Sequence, residues 1–197
     1  MTLHRPIIIV MAVALALGLA GALYDYFRPG PAARTTMATP PLTPALQSIA
    51  PAFSMRTLDG QTTALAKLQG KVVILNLWAT WCPPCLVEFP MLIDLVNKLD
   101  GQVVLVALSS DRTAGPVRTF LDQMATETNT PLVPPHFWIG LDEGRRITRD
   151  LYRVTTYPES FIIAPNGTVA RHIIGIDDWK RAETEAFIRG LIPTHNP

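Results

Sequence analysis

Cys82-Pro83-Pro84-Cys85 is the stretch of this 197-residue chain whose residue types and spacing lend themselves most directly to chemistry. Two thiols three positions apart can close a small disulfide ring and reopen it. The pair follows an apolar run over 72–78. It precedes an amphipathic one over 83–99, with Leu86, Phe89, Leu92, Ile93, Val96 and Leu99 on one side. The cysteines therefore stand where a buried strand hands over to a helix. Cys82 is expected at or near the N-cap, with Pro83 and Pro84 in the first turn, where missing N–H groups are harmless. The positive helix end favours a thiolate there, which makes Cys82 the nucleophile. Cys85, one turn deeper, is expected to be the resolving thiol.

Three blander readings compete with redox use. A structural disulfide between near neighbours closes a very short loop and constrains the unfolded chain little. Half a zinc site needs two more ligands, and His4, His136, His172 and His195 are not paired at metal-ligand spacing, so no metal is expected. Two unrelated core cysteines leave the helix-start position and the flanking Trp78 and Trp81 unexplained. Redox use accounts for all of these features.

The surrounding pattern alternates between strands and helices. Residues 53–58 and 61–65 flank Asp59-Gly60 and predict a short hairpin. Strands are expected over 72–78, 103–108 and 137–141, the first two as buried central strands. A helix is expected from 116 to about 125, with Val117, Phe120, Leu121 and Met124 inward, and a short one over 147–152. Residues 160–164 and 168–174 flank Asn166-Gly167, a strong hairpin signal. Asp177 or Asp178 is expected to cap a last amphipathic helix containing Trp179, Ala182, Ala186, Phe187 and Leu191. The sum is an α/β sandwich with a mixed sheet.

Upstream of this domain the composition changes twice. Residues 7–23 contain no charge and would cover roughly 26 Å as a helix, near the short limit for spanning a bilayer. Ala20-Gly21-Ala22 has the form of a signal cleavage site, but the run exceeds the usual signal-peptide core, so an uncleaved anchor is expected. Six prolines from Arg28 to Pro51, Pro51 included, read as a semi-rigid tether. The expected organisation is an anchor or signal peptide over 1–27, a linker over 28–49 and a domain over 50–193. Seventeen basic residues against sixteen acidic ones leave no broad basic surface, so nucleic acid is not an expected partner.

Trp78-Ala-Thr-Trp-Cys82-Pro-Pro-Cys85 after an apolar strand resembles the thioredoxin fold. With the Leu-Val-Glu-Phe-Pro that follows, and Tyr157-Pro158-Glu159-Ser160-Phe161, it is similar to the membrane-tethered TlpA/ResA/CcmG (DsbE)-like branch. The resemblance covers about 50–191. It implies a thioredoxin-like domain with a mixed central sheet flanked by helices, an N-terminal hairpin and a membrane anchor. It also implies a thiol-disulfide oxidoreductase facing the periplasm or extracytoplasmic side of a bacterial membrane, with no cofactor beyond the Cys82–Cys85 couple. Implied partners are protein thiols and disulfides of the cytochrome c maturation or copper-site assembly type, with a membrane thiol donor of the DsbD or CcdA kind; a monomer is expected.

Several further residues take a role from the same resemblance. Pro158 matches the family's cis-proline, where exposed backbone pairs with an extended substrate; Trp81, Tyr157 and Glu159 stand with it as substrate-facing candidates. For Glu159, an ordinary surface position is the alternative. Glu88, three residues after Cys85 on one helix face, matches the branch's acidic residue and could take the resolving thiol's proton; the alternative is a solvated glutamate. Asn76 stands where thioredoxins proper carry an aspartate. An amide cannot act as a base, which shifts that burden toward Glu88 and leaves Asn76 to satisfy a buried hydrogen bond. Pro90 matches a helix-kinking proline.

Because Pro83 and Pro84 offer no N–H to a Cys82 thiolate, the reduced form is weakly stabilised and a reductase is expected. A dithiol oxidase or isomerase is the rival on the same fold, and a copper-binding chaperone the rival from another class. A peroxidase fits less well, because Ala79 stands where peroxiredoxins use threonine.

Overall fold

The structure is a computed structural model in which residues 48–193 are described, together with Leu17 and Leu19. The rest of the proposed anchor and most of the tether lie outside the described residues. Among those described, no helix is long and apolar enough to cross a membrane.

Every element below belongs to the second of the chain's two compact units, 44–197. In order these are β1 (Ser54–Arg56), β2 (Thr62–Ala64), a short 3-10 helix (Leu65–Leu68), β3 (Val72–Trp78), α1 (Pro83–Lys98), β4 (Val103–Ser109), α2 (Ala114–Thr128) and β5 (Phe137–Leu141). A 3-10 turn (Glu143–Arg145) and a π-helical turn (Arg146–Leu151) follow, then β6 (Glu159–Ile163), β7 (Val169–Ile174) and α3 (Ala182–Arg189). Strands β3 and β5 coincide with the apolar runs read from the sequence. Helix α2 starts two residues earlier and ends three later than its apolar spacing indicated.

The main sheet has the order β5-β4-β3-β6-β7. β3, β4 and β5 run parallel, while β6 is antiparallel to β3 and β7 to β6. This topology positions the site. The C-terminal end of β3, which leads to Cys82, lies at the same edge of the sheet as the N-terminal end of β6, which follows Pro158. All seven β3 residues are buried. Val72, Ile74 and Trp78 pack with the three helices, whereas Val73, Leu75 and Leu77 pack with Phe53, Met55, Tyr152 and Phe161 on the other face. Asn76 shares the first face and thus looks toward α1.

An aromatic cluster holds α1 against the sheet. Trp78 lies 4.6 Å from Phe89 and 5.3 Å from Phe120, ring centre to ring centre, and Phe89 lies 5.4 Å from Phe120. Such pairs contribute about 0.5–1.5 kcal/mol each beyond area burial. The β1–β2 hairpin closes over β5, where Thr57 bridges Gly140. A Cβ at Gly140 would fall 2.6 Å from the Arg56 carbonyl oxygen, so only glycine admits this approach. At the β6–β7 turn, Gly167 takes φ +84°, the left-handed geometry the Asn-Gly signal requires.

The last helix departs from its sequence reading. Neither Asp177 nor Asp178 caps it: the N-cap is Arg181, without a side-chain cap bond. Asp178 Oδ1 instead accepts the Lys180 N–H in a local turn. Trp179 therefore precedes the helix and is buried in the main core.

Candidate active site

Cys82 is the N-cap of α1, extended at φ −102° and ψ 100°, with Pro83 and Pro84 as the first two helical residues. The two cysteines form a disulfide with S–S 2.02 Å and Cα–Cα 5.3 Å. The Cys85 N–H donates to Cys82 Sγ at 3.3 Å. It is the first amide available, because both prolines lack one. Cys82 is 5% exposed and Cys85 2%. The first turn carries no acidic side chain to oppose a thiolate, so the helix's positive end acts on Cys82 uncompensated.

Glu88 is 1% exposed, which removes the solvated alternative. Its Oε1 accepts from Asn76 Nδ2 at 3.1 Å and from the Ser160 hydroxyl at 3.5 Å, and its Oε2 accepts the Asp177 N–H at 3.2 Å. Asn76 Nδ2 also donates to Ser160 Oγ at 2.9 Å. Burial pushes the Glu88 carboxyl from its ordinary 4.5 up to about 7, outweighing the Asp177 N–H and the other donors, which pull it down. The group is thus poised to gain or lose a proton near neutrality. It lies on the helix face of Cys85, one turn on.

Tyr157–Pro158 is a cis peptide, as is Pro134–Pro135. Trp81, 59% exposed, meets the Tyr157 ring edge-on at 5.5 Å. The Tyr157 hydroxyl donates to Ser110 Oγ at 2.7 Å and accepts from Arg145 Nε at 3.1 Å. Behind Trp81, Asp111 accepts the Thr80 N–H at 2.8 Å, the Thr80 hydroxyl at 2.7 Å and the Ser109 hydroxyl at 2.6 Å. These bonds tie the segment before Cys82 to the end of β4. Sequence reasoning missed Ser110, Asp111 and Arg145. The signal for Asp111 was a polar Ser-Ser-Asp directly after a buried parallel strand, at the sheet edge where α/β proteins place their sites.

Glu159 is corrected from a surface or substrate-steering residue to a buried one. It is 3% exposed. Its Oε2 lies 2.8 Å from His172 Nε2, and its Oε1 accepts the Thr155 and Thr156 N–H groups at 3.3 and 3.4 Å. Strand alternation explains the placement: Glu159 points to the face opposite Ser160, and His172, stacked on Phe161 at 4.2 Å, closes over it. Glu159→Ala leaves these donors without their acceptor, so urea titration should show a loss of about 1–3 kcal/mol of stability. Unchanged stability combined with altered partner selectivity would return Glu159 to a substrate-facing role.

Among the described residues, no group of three His, Cys, Asp or Glu could hold a metal ion. The family model described as AhpC/TSA matches residues 46–172. The thiol-disulfide oxidoreductase ResA of Bacillus thuringiensis is 32% identical over 145 residues, spanning 73% of this chain and 77% of that one. The thioredoxin-like protein YneN of Bacillus subtilis is 31% identical over 137 residues, 68% of this chain and 74% of that one. Among solved structures, a protein described as a thiol:disulfide interchange protein DsbE from Chlorobium tepidum superposes with TM-score 0.62 at 29% identity, covering 75% of this chain and 97% of that one.

Proposed function

The chain belongs to the AhpC/TSA family, and from that premise we propose that it is a thiol-disulfide reductase of partner proteins, working at the outer face of a bacterial cytoplasmic membrane. The observation that carries this reading is a cysteine pair at the mouth of α1 with a near-neutral buried carboxyl one turn further along.

In the reduced enzyme the Cys82 thiolate attacks one sulfur of a partner disulfide, forming a Cys82–partner disulfide and releasing the partner's other sulfur as a thiolate. Cys85 then gives its proton to the Glu88 carboxylate, and its sulfur attacks Cys82 Sγ. The Cys82–Cys85 disulfide forms, and the partner's second sulfur leaves. The partner gains two electrons and the enzyme loses two. A membrane dithiol of the DsbD or CcdA kind resets the couple. Trp81, next to Cys82 in the chain, and Tyr157, edge-on to Trp81, supply an apolar wall for the partner segment, and the Pro158 backbone supplies an extended strand.

The uncharged run over 7–23 supports a membrane anchor over 1–27, and the proline-rich 28–49 supports a tether to a domain over 50–193. Apocytochrome c haem-attachment cysteines and copper-site assembly proteins are the partner classes that suit an outward-facing reductant. The scarcity of amide donors to Cys82 predicts a reduction potential below about −200 mV, on the reducing side of protein disulfide isomerase. Equilibration with glutathione or dithiothreitol measures it. A value near −120 mV, that of a strong oxidase, reverses the assigned direction.

A further inference from the structure

The Glu88 pocket holds a polar atom that the exchange scheme leaves unused. Trp179 is fully buried, and its indole N–H has no hydrogen-bond partner. It lies two residues beyond Asp177, whose backbone N–H donates to Glu88 Oε2 at 3.2 Å. Trp179 packs in the same core cluster as Cys85 and Phe89, which flank Glu88 on α1, and there its N–H makes no bond of ordinary geometry while lying near enough to favour the charged carboxyl. Trp78 also has a buried, unpartnered indole N–H, but it packs against Phe89 and Phe120 rather than a carboxyl.

Glu88 faces a donor-rich wall. Asn76 Nδ2 and the Asp177 N–H can only donate, and the Ser160 hydroxyl serves either way. A neutral carboxyl needs an acceptor for its own O–H, whereas a carboxylate needs donors. The wall therefore suits the ionised state, and burial opposes it. Of the other titratable groups near this pocket, the Asp177 carboxylate also opposes ionisation, and Cys82 and Cys85 lie one to two turns earlier on α1. Arg171, on β7, feels the charge of Asp177. A buried donor with nothing to bond is costly to keep, unless its acceptor arrives during the working cycle.

We propose that Trp179 is a positioning residue for Glu88: its indole N–H is a reserve donor that closes onto the carboxylate whenever Glu88 ionises, and so sets how readily Glu88 takes the Cys85 proton. The indole keeps its own proton throughout; the one that moves passes from Cys85 Sγ to Glu88. The inference rests on the reading of Glu88 as proton acceptor.

Trp179→Phe in the full chain removes the N–H and keeps an aromatic ring. The readout is the rate at which Cys85 releases a partner from the mixed disulfide, followed against pH. The midpoint of that profile should rise by about one pH unit, lowering the rate at pH 7 about fivefold while the two profiles converge near pH 9. An unchanged midpoint, or an equal loss at every pH, overturns the proposal. Should the variant fail to fold, the unaltered protein with 15N-labelled tryptophan answers the same question. The Trp179 indole resonance should titrate with a midpoint near that of Glu88 and lose this titration in Glu88→Gln; a resonance independent of pH from about 5.5 to 8.5 overturns the proposal. A Glu88→Gln release profile identical to the parent's removes the proton-acceptor reading itself. A strong Glu88→Gln effect beside a silent Trp179 removes only the role given to Trp179.

Discussion

Cys85→Ser should hold captured partners on Cys82 as stable mixed disulfides, and turnover of a disulfide substrate should fall by on the order of a thousandfold or more. The expectation follows from the order of the two steps. Cys82, at the N-cap, keeps the helix end that favours its thiolate, so capture proceeds. Release needs a second sulfur at position 85, held 5.3 Å away between Cα atoms, and serine oxygen cannot supply it. Cys82→Ser should lose capture as well as turnover. Non-reducing gels of whole extracts from cells carrying each variant separate the two outcomes, and mass spectrometry of the Cys85→Ser adducts identifies the partner class. Adducts forming equally on a Cys82→Ser protein would reverse the order of nucleophile and resolver. Adducts absent from both would remove the exchange mechanism.

Glu88→Gln should slow release of the mixed disulfide about a hundredfold at pH 8, the low end of what a positioned proton acceptor contributes. Its profile should rise only where the Cys85 thiol ionises unaided, near or above about 8.5. Stability gives an independent check with a definite sign. The Glu88 carboxyl sits near 4.5 unfolded and is raised to about 7 when folded. Between those values the folded chain holds more protons than the unfolded one, so stability falls as pH rises through this window and levels off above it. At about 1.4 kcal/mol per pH unit the loss is about 3 kcal/mol. Urea midpoints measured from pH 4.5 to 8 should show that decline in the parent protein and a flatter line in Glu88→Gln. A parent curve without the decline would place Glu88 in a better-solvated setting than its burial indicates.

Much of this fold was legible because its cues are local. The apolar runs of β3 and β5, the Asp-Gly and Asn-Gly turns, and the two prolines after Cys82 each act within a few residues, and each appears where its pattern indicated. The surroundings of Glu88 were not legible, because Asn76, Ser160 and Asp177 reach it across 12, 72 and 89 positions of sequence. Only the pairing of β3 with β6 brings Asn76 opposite Ser160. Glu159 was misplaced for a related reason. Glutamate is rarely buried without a partner, and its partner, His172, lies across the hairpin rather than nearby in sequence. The last helix was started too early because Trp179 fits the apolar spacing of Ala182 and Ala186, yet it is drawn into the core beside Glu88.

The way the Glu88 pocket is stitched together bears on when the protein becomes competent. Both cysteines emerge in the first half of the chain, but Ser160 on β6 and Asp177 and Trp179 on the loop before α3 all come from its final forty residues. A nascent domain whose tail has yet to dock would keep the helix end beside Cys82 but lack the donors that surround Glu88. Resolution of a mixed disulfide would reach its full rate only once the carboxy-terminal hairpin and the loop after it had locked into place around Glu88.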